Sequence, residues 1–153
     1  AAFVDVGFEK DAFLHYTDLS PYIRSLLKFT NIAINDKTED GFDFVYIHVE
    51  AADEMGHQGS YERKVQAIQF LDEKVIARGY EQMKASGEDF RMLVTPDHPT
   101  PICTRTHSMN PVPYMIYDST KEQNNTWNYN EKEAKASGNY LADGYKIMNE
   151  FLA

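Results

Sequence analysis

The sequence has a single cysteine, no long hydrophobic run and few basic residues. Because Cys103 is alone, it cannot form an internal disulfide, which is typical of proteins from reducing compartments. No apolar run approaches the length of about 18 residues that a membrane-spanning helix needs. The segment that starts at Ala1 also lacks the basic region of a signal peptide. These absences lead us to expect a cytoplasmic protein.

Acidic residues outnumber basic ones by 24 to 15, which gives a formal net charge of −9. Nucleic acids and anionic membranes are bound through basic patches that neutralise phosphates, so we expect neither as a partner. A small anionic substrate could still bind if divalent metal ions reversed the local sign of the electrostatic potential. Because the chain is acidic, a metal site would help it to bind an anionic substrate.

The length of the chain favours one compact domain. Its 153 residues, of which 42% are hydrophobic, could bury about 70% of the surface of the unfolded chain. No internal repeat, low-complexity tract or linker divides the sequence. We therefore expect a single domain over residues 1–153, with residues 1–40 the hardest part to interpret.

Three short segments carry side chains that could bind metal. Asp53 and His57 are four residues apart, Asp97 and His98 are adjacent, and His107 stands alone. Carboxylate oxygens and imidazole nitrogens suit Mn, Zn or Mg-type divalent ions, and no set of cysteines suggests a structural zinc site. Any one of these residues by itself would more often be a solvated side chain or a helix cap. Together they predict a site for two metal ions.

The apolar patterns predict an α/β fold with a mostly parallel sheet and flanking helices. The runs Phe42–Val49 and Phe90–Thr95 are each typical of a buried strand. Between them, Ser60 is a candidate N-cap for a helix that should reach about Ala85 and stop at Gly87. This order fits a right-handed βαβ unit. Both pairs of candidate ligands would then follow strands at the carboxyl edge of the sheet, where open α/β sheets build their sites.

The rest of the chain gives weaker signals. Pro111–Tyr117 resembles a further strand, and Asp118–Asn130 is a polar segment that we interpret as a surface loop. Leu141–Leu152 has the spacing of an amphipathic helix. Nearer the start, Ser20–Phe29 predicts a helix, and Thr30–Ile34 is a candidate strand.

Four segments together resemble the cofactor-independent phosphoglycerate mutases of the archaeal type, which belong to the alkaline phosphatase superfamily. They are His48–His57, Thr95–Pro101, Thr106–His107 and Pro111–Tyr114. The order and spacing of these segments carry the likeness, which covers Gly41 to the end of the chain. The resemblance implies an alkaline-phosphatase-like domain of which this chain would be the C-terminal, metal-binding part.

The resemblance also implies a ligand set and a reaction. The implied ligands of the first metal are Asp53, His57 and His107, and those of the second are Asp97 and His98. The ions would be Mn, alternatively Mg or Zn. The reaction would interconvert 3-phosphoglycerate and 2-phosphoglycerate through a phosphoserine. The serine nucleophile and the basic residues that hold this substrate would lie upstream, so we expect the chain alone to be poorly active.

Other polar residues are weaker candidates. His48 and Glu50 could orient the metal ligands, although a histidine on a strand is more often part of the core. Ser60 and Ser108 lie near ligands in sequence, but a helix cap explains Ser60 and nothing marks Ser108 as an activated nucleophile. For His15 a surface position is the simpler interpretation.

Two alternative functions stay open from the sequence. One is a different phosphoryl-transfer enzyme of the same superfamily, because the metal ligands are shared and the substrate determinants are unmatched. The other is a non-catalytic metal-binding fragment that has lost its nucleophile. A partial domain would expose an unpaired sheet edge and apolar surface, and this would favour self-association.

Overall fold

The computed structural model describes residues 44–122 and 126–153 in full. It also describes the backbone of two short strands, β1 (Ala2–Val4) and β2 (Ala12–Leu14), which pair in antiparallel orientation. Within the described ranges, no helix is both long enough and apolar enough to cross a lipid bilayer.

The chain divides into two compact units. The first comprises Ala1–Glu88 and Thr100–Thr106, and the second comprises Asp89–Pro99 and His107–Ala153. Each unit therefore combines segments that are distant in sequence, and each is described below by itself.

Helices dominate the described part of the first unit. They are α1 (Ala51–His57), α2 (Tyr61–Leu71), a π-helical segment (Asp72–Ile76) and α3 (Ala77–Ser86). The prediction of a long helix between Ser60 and Gly87 is confirmed. Ser60 is in an extended conformation immediately before α2, although its side chain makes no capping hydrogen bond. Gly87 ends α3 with a φ of 75°, a left-handed conformation that glycine adopts without steric cost.

Helices α1 and α2 contact each other, and the residues that they bury are small. Ala51 and Gly56 are buried on α1, and Ala67 is buried on α2. The contact with α2 restricts the position of α1. This matters because α1 carries Asp53 and His57.

The second unit contains an antiparallel strand pair and short helices. Strand β3 (Arg91–Val94) pairs with β4 (Met115–Asp118) in a register that places Arg91 opposite Asp118. The helical elements are α4 (Glu131–Ala136), a 3₁₀ turn (Gly144–Lys146) and α5 (Ile147–Leu152). Asn130 caps α4, since its side chain accepts a hydrogen bond from the backbone N–H of Glu133.

Asp118 ties together several parts of the second unit. Its buried carboxylate accepts hydrogen bonds from the hydroxyl and backbone N–H of Thr120, at 2.6 and 3.0 Å, and from Arg91 Nε at 2.9 Å. Lys121 Nζ lies 3.1 Å from the same carboxylate. Arg91 also donates to the backbone oxygen of Phe151 at 3.0 Å, which links α5 to β3. The hydrogen bonds from Thr120, followed by those from the two cations, hold the pKa of Asp118 well below its usual range.

The predicted strand over Phe42–Val49 is wrong for the described residues 44–49. They contain only a single bridge residue, Ile47, and the side chains of Phe44 and Tyr46 are about half exposed, at 50% and 55%. An apolar run forms a strand only where a neighbour completes its backbone hydrogen bonds along several residues, and within the described residues 44–49 this occurs at Ile47 alone. A mostly parallel sheet is likewise not confirmed, because both described strand pairs are antiparallel.

Other elements follow the predictions with changed boundaries. The strand predicted over Phe90–Thr95 is β3, and the one predicted over Pro111–Tyr117 is β4, which begins only at Met115, beyond the two prolines that lack backbone donors. The helix predicted over Leu141–Leu152 is shorter and starts with the 3₁₀ turn. The elements predicted over residues 20–34 lie outside the described residues.

Candidate metal centre

Helix α1 places Asp53 and His57 on one face. Residues four positions apart in a helix are neighbours, and here Asp53 Oδ2 lies 3.3 Å from His57 Nε2. The sequence pattern predicts that both residues directly follow a strand, and this is wrong, because they lie within a helix. Helical geometry separates the two donors by a fixed and short distance. Both side chains are partly exposed, so a metal ion from solvent can reach them.

A backbone carbonyl orients the ring of His57. His57 Nδ1 lies 2.9 Å from the carbonyl oxygen of Arg105. Because a carbonyl can only accept a hydrogen bond, Nδ1 carries the proton and donates it. In the neutral imidazole, Nε2 then keeps its lone pair, which is the form that binds metal. The contact therefore fixes both the orientation of the ring and its tautomer, as second contacts to metal-binding histidines commonly do.

Arg105 holds this carbonyl in an unusual backbone conformation. Its φ is 53°, and it is the single described residue other than glycine with a positive φ. Its backbone N–H donates to the carbonyl of Pro101 at 2.9 Å, which closes a tight turn. Left-handed conformations cost free energy for residues with a Cβ and are often found at functional sites.

Asp53 has a second partner in the same unit. The hydroxyl of Thr100 donates a hydrogen bond to Asp53 Oδ1. Thr100 is 4% exposed, and it is one of two polar residues that are buried in the described part of the chain. Sequence reasoning missed both Thr100 and Arg105. The one local signal for Thr100 was its position between Pro99 and Pro101, which stiffen the segment.

The second unit brings together the three remaining candidate ligands. His98 Nε2 lies 3.2 Å from Asp97 Oδ2, and the backbone N–H of His98 donates to Asp97 Oδ1 at 3.0 Å. The rings of His98 and His107 are 3.7 Å apart between centroids, at an angle of 30°. The backbone N–H of Ser108 donates to the carbonyl of Pro99 at 3.0 Å, and this contact brings the segment after His107 beside the one after His98.

The donor set in each unit fits a divalent metal ion. Asp53 and His57 in the first unit, and Asp97, His98 and His107 in the second, offer carboxylate oxygens and imidazole nitrogens. Such donors suit Mn²⁺, Zn²⁺ and related ions. Two or three protein ligands leave coordination positions open, which a catalytic metal needs. A purely structural zinc site would be closed by four ligands.

The weaker candidates have ordinary surroundings. His48 is partly exposed, with Nδ1 at 3.3 Å from the hydroxyl of Tyr46 and Nε2 at 4.0 Å from Glu50. Ser60 precedes α2, as a cap residue does. The hydroxyl of Ser108 is buried and has no hydrogen-bond partner among the described residues. His15 lies outside them.

Comparison with known proteins identifies the family. The sequence model of the Metalloenzyme superfamily matches residues 16–149. Among curated relatives, the 2,3-bisphosphoglycerate-independent phosphoglycerate mutase of Methanosarcina mazei is 44% identical over 94 residues, which are 61% of this chain and 24% of the relative. A protein of Geobacter sulfurreducens described as a probable mutase of the same kind is 39% identical over 114 residues, 74% of this chain and 28% of the relative.

The extent of these matches differs between the family and the relatives. The chain spans about a quarter of the length of the relatives it matches, at 28% and 24%. No solved structure matches it. The superfamily model, in contrast, covers most of the chain. The protein is therefore a member of the Metalloenzyme superfamily.

Proposed function

We propose that this chain is the C-terminal, metal-binding part of a 2,3-bisphosphoglycerate-independent phosphoglycerate mutase of the archaeal type. The complete enzyme would interconvert 3-phosphoglycerate and 2-phosphoglycerate through a phosphoserine. The observation that carries the proposal is the pairing of Asp53 with a His57 whose Nδ1 is engaged by a backbone carbonyl. This pair occurs in a chain that is 39% to 44% identical to mutases over the matched residues.

The proposed ligand set has two parts. Asp53, His57 and His107 hold one metal ion, and Asp97 and His98 contribute to a second. The family membership supports metal dependence, and the oxygen and nitrogen donors support Mn²⁺, with Mg²⁺ or Zn²⁺ as alternatives. Asp53 lies beside His57, as the first group requires. His107 lies beside His98, which is assigned to the other metal, so the contacts support the grouping only in part.

The metal ions would supply Lewis acidity, which activates a hydroxyl nucleophile and neutralises charge on a phosphoryl group. Other residues of this chain fix the orientation of the proposed metal ligands. The carbonyl of Arg105 keeps the proton of His57 on Nδ1, and the hydroxyl of Thr100 occupies one oxygen of Asp53. Because the chain has a net charge of −9, a phosphorylated substrate needs cationic charge at this site to bind.

The serine nucleophile and the substrate-binding residues are proposed to lie in the part of the relatives that this chain does not match. That part is large, because the matched segments are 24% to 28% of the relatives. The substrate that the proposed mutase activity requires is a small phosphorylated acid. The 153-residue chain alone should show little mutase turnover.

An exchange of segments tests this proposal. The matching region of the Methanosarcina mazei mutase is replaced by this chain, and conversion of 3-phosphoglycerate is measured beside hydrolysis of a simple phosphate ester. We expect mutase turnover that Asp53→Asn abolishes. Ester hydrolysis without mutase turnover would favour another phosphoryl-transfer enzyme of the superfamily. A folded, metal-loaded hybrid with neither activity would count against the proposal.

A further inference from the structure

We propose that Thr100 is a positioning residue for Asp53, and that its hydroxyl prepares the carboxylate to bind a metal ion through a single oxygen. The inference rests on the proposed function, because it takes Asp53 to be a metal ligand. Its basis is the hydrogen bond from the Thr100 hydroxyl to Asp53 Oδ1, made by a residue that is 4% exposed. The two residues are 47 positions apart, so this contact is part of the tertiary structure and is not a local cap.

The backbone of Thr100 is held in place from two sides. Lys64 Nζ on α2 donates a hydrogen bond of 2.6 Å to the carbonyl oxygen of Thr100. Gly56 on α1 packs against the same carbonyl, and a Cβ at this position would collide with the oxygen. The flanking residues Pro99 and Pro101 have fixed φ angles. Thr100 is thus placed by both helices, and its hydroxyl position is determined together with theirs.

This arrangement gives the two oxygens of Asp53 different roles. Oδ1 accepts the hydrogen bond from Thr100, whereas Oδ2 faces His57 Nε2 at 3.3 Å. A carboxylate with one oxygen engaged loses most of its rotational freedom, and the other oxygen keeps a defined position. Oδ2 and Nε2 are then the two donors presented to an ion. Holding ligands in place before binding reduces the entropy lost on binding, which raises affinity.

The side chain of Thr100 is suited to this role. A β-branched residue has few accessible χ1 rotamers, so its hydroxyl direction is well defined. A hydroxyl has a single proton to donate, and here a carboxylate that can only accept receives it. Contacts of this second layer typically change metal affinity by about 10- to 100-fold when they are removed. We therefore expect Thr100 to affect the affinity for metal more than the folding of the chain.

The test compares Mn²⁺ binding by calorimetry for the 153-residue chain and its variants. Thr100→Val keeps the shape and removes the hydroxyl, and should weaken Mn²⁺ binding by about 10- to 100-fold. Thr100→Ser keeps the hydroxyl and should bind within about threefold of the unmodified chain, because the donor remains. Thr126→Val is the matched control, since Thr126 is an exposed threonine that is distant in sequence from the candidate ligands. It should bind Mn²⁺ unchanged.

Separate outcomes overturn the two proposals. Unchanged affinity in Thr100→Val, with binding lost in Asp53→Asn, would overturn the role of Thr100 and leave the metal site intact. Absence of Mn²⁺ binding in the unmodified chain, or full binding by Asp53→Asn, would overturn the site itself and this inference with it. Circular dichroism and melting in the presence of a chelator report folding. If Thr100→Val does not fold, Thr100→Ala takes its place and must weaken binding relative to Thr100→Ser.

Discussion

At the scale of single residues, the candidate site depends on a few contacts that fix how each ligand is presented. His57 Nδ1 donates a hydrogen bond to the carbonyl of Arg105, and His57 Nε2 lies beside Asp53. This hydrogen bond depends on the backbone conformation of Arg105, which has a φ of 53°. The side chain of Arg105 lies against Gly59 and takes no part in this contact. The metal-binding form of His57 should therefore depend on backbone geometry at position 105.

Two substitutions of Arg105 separate its backbone from its side chain. Arg105→Gly should keep Mn²⁺ affinity within about threefold, because glycine adopts a positive φ without cost and keeps the carbonyl. Arg105→Val should destabilise the chain by about 1–2 kcal/mol, because β-branched residues are strained in this region. It should also weaken Mn²⁺ binding. Denaturant unfolding and calorimetry measure the two effects. Loss of binding in the glycine variant would show that the guanidinium group matters instead.

Asp118 gives the second unit a predictable response to acid. Its pKa in the folded chain lies below the ordinary value of 3.8, chiefly because Thr120 donates hydrogen bonds to the carboxylate. The lowered pKa means that the stabilising contribution is present at neutral pH and is lost as the pH falls below about 4. We expect the free energy of unfolding to decrease in this range, and Asp118→Asn to lose stability at pH 7 and show a shallower acid dependence. Equal acid dependence in the two proteins would contradict this assignment.

Some residues of the candidate metal centre could be predicted from the sequence, and others could not. The metal-binding chemistry of their side chains makes five candidate ligands predictable from the sequence: Asp53, His57, Asp97, His98 and His107. The structure gathers the first two in one unit and the other three in the second. Thr100 and Arg105 carry no such chemical signature. Their contacts depend on segments brought together over 47 and 48 positions, respectively, which local patterns do not encode.

At the scale of elements, sequence patterns predict an element correctly when its formation depends on residues within that element. The helical segment between Ser60 and Gly87 was predicted from a cap residue, an apolar spacing and a glycine stop, all contained in the segment itself. The strand expected over Phe42–Val49 was wrong for residues 44–49 because strand formation depends on a partner elsewhere. The same limit applies to orientation, since the antiparallel pairing of β3 and β4 was not visible in either run.

Gly87 provides a test at this scale. Its φ of 75° ends α3, and a Cβ built at this position would meet no other atom within 4 Å. Gly87→Ala should therefore lower the free energy of unfolding by about 1 kcal/mol through backbone strain alone. Gly144→Ala is the matched control, because the same open space surrounds Gly144 and its φ is not positive. Denaturant unfolding of both variants should show the larger loss for Gly87, and equal losses would argue against a strained cap.

At the scale of the whole molecule, composition and family membership support a metal-dependent function. The excess of 24 acidic over 15 basic residues means that the chain itself offers little attraction to a phosphorylated substrate. Divalent ions held by carboxylates and imidazoles would supply the missing positive charge. The superfamily match over residues 16–149 is consistent with this requirement. Metal binding is thus the property on which the proposed activity depends.

Calorimetry of Mn²⁺ binding by the 153-residue chain, which gives stoichiometry and affinity, tests directly whether Asp53 is a metal ligand. We predict at least one ion per chain, with binding at that site lost in Asp53→Asn. The control Asp72→Asn, which removes the same charge from an exposed position in the first unit, should bind as the unmodified chain does. Failure to bind Mn²⁺, or equal binding by Asp53→Asn and Asp72→Asn, would contradict the assignment of Asp53 as a metal ligand.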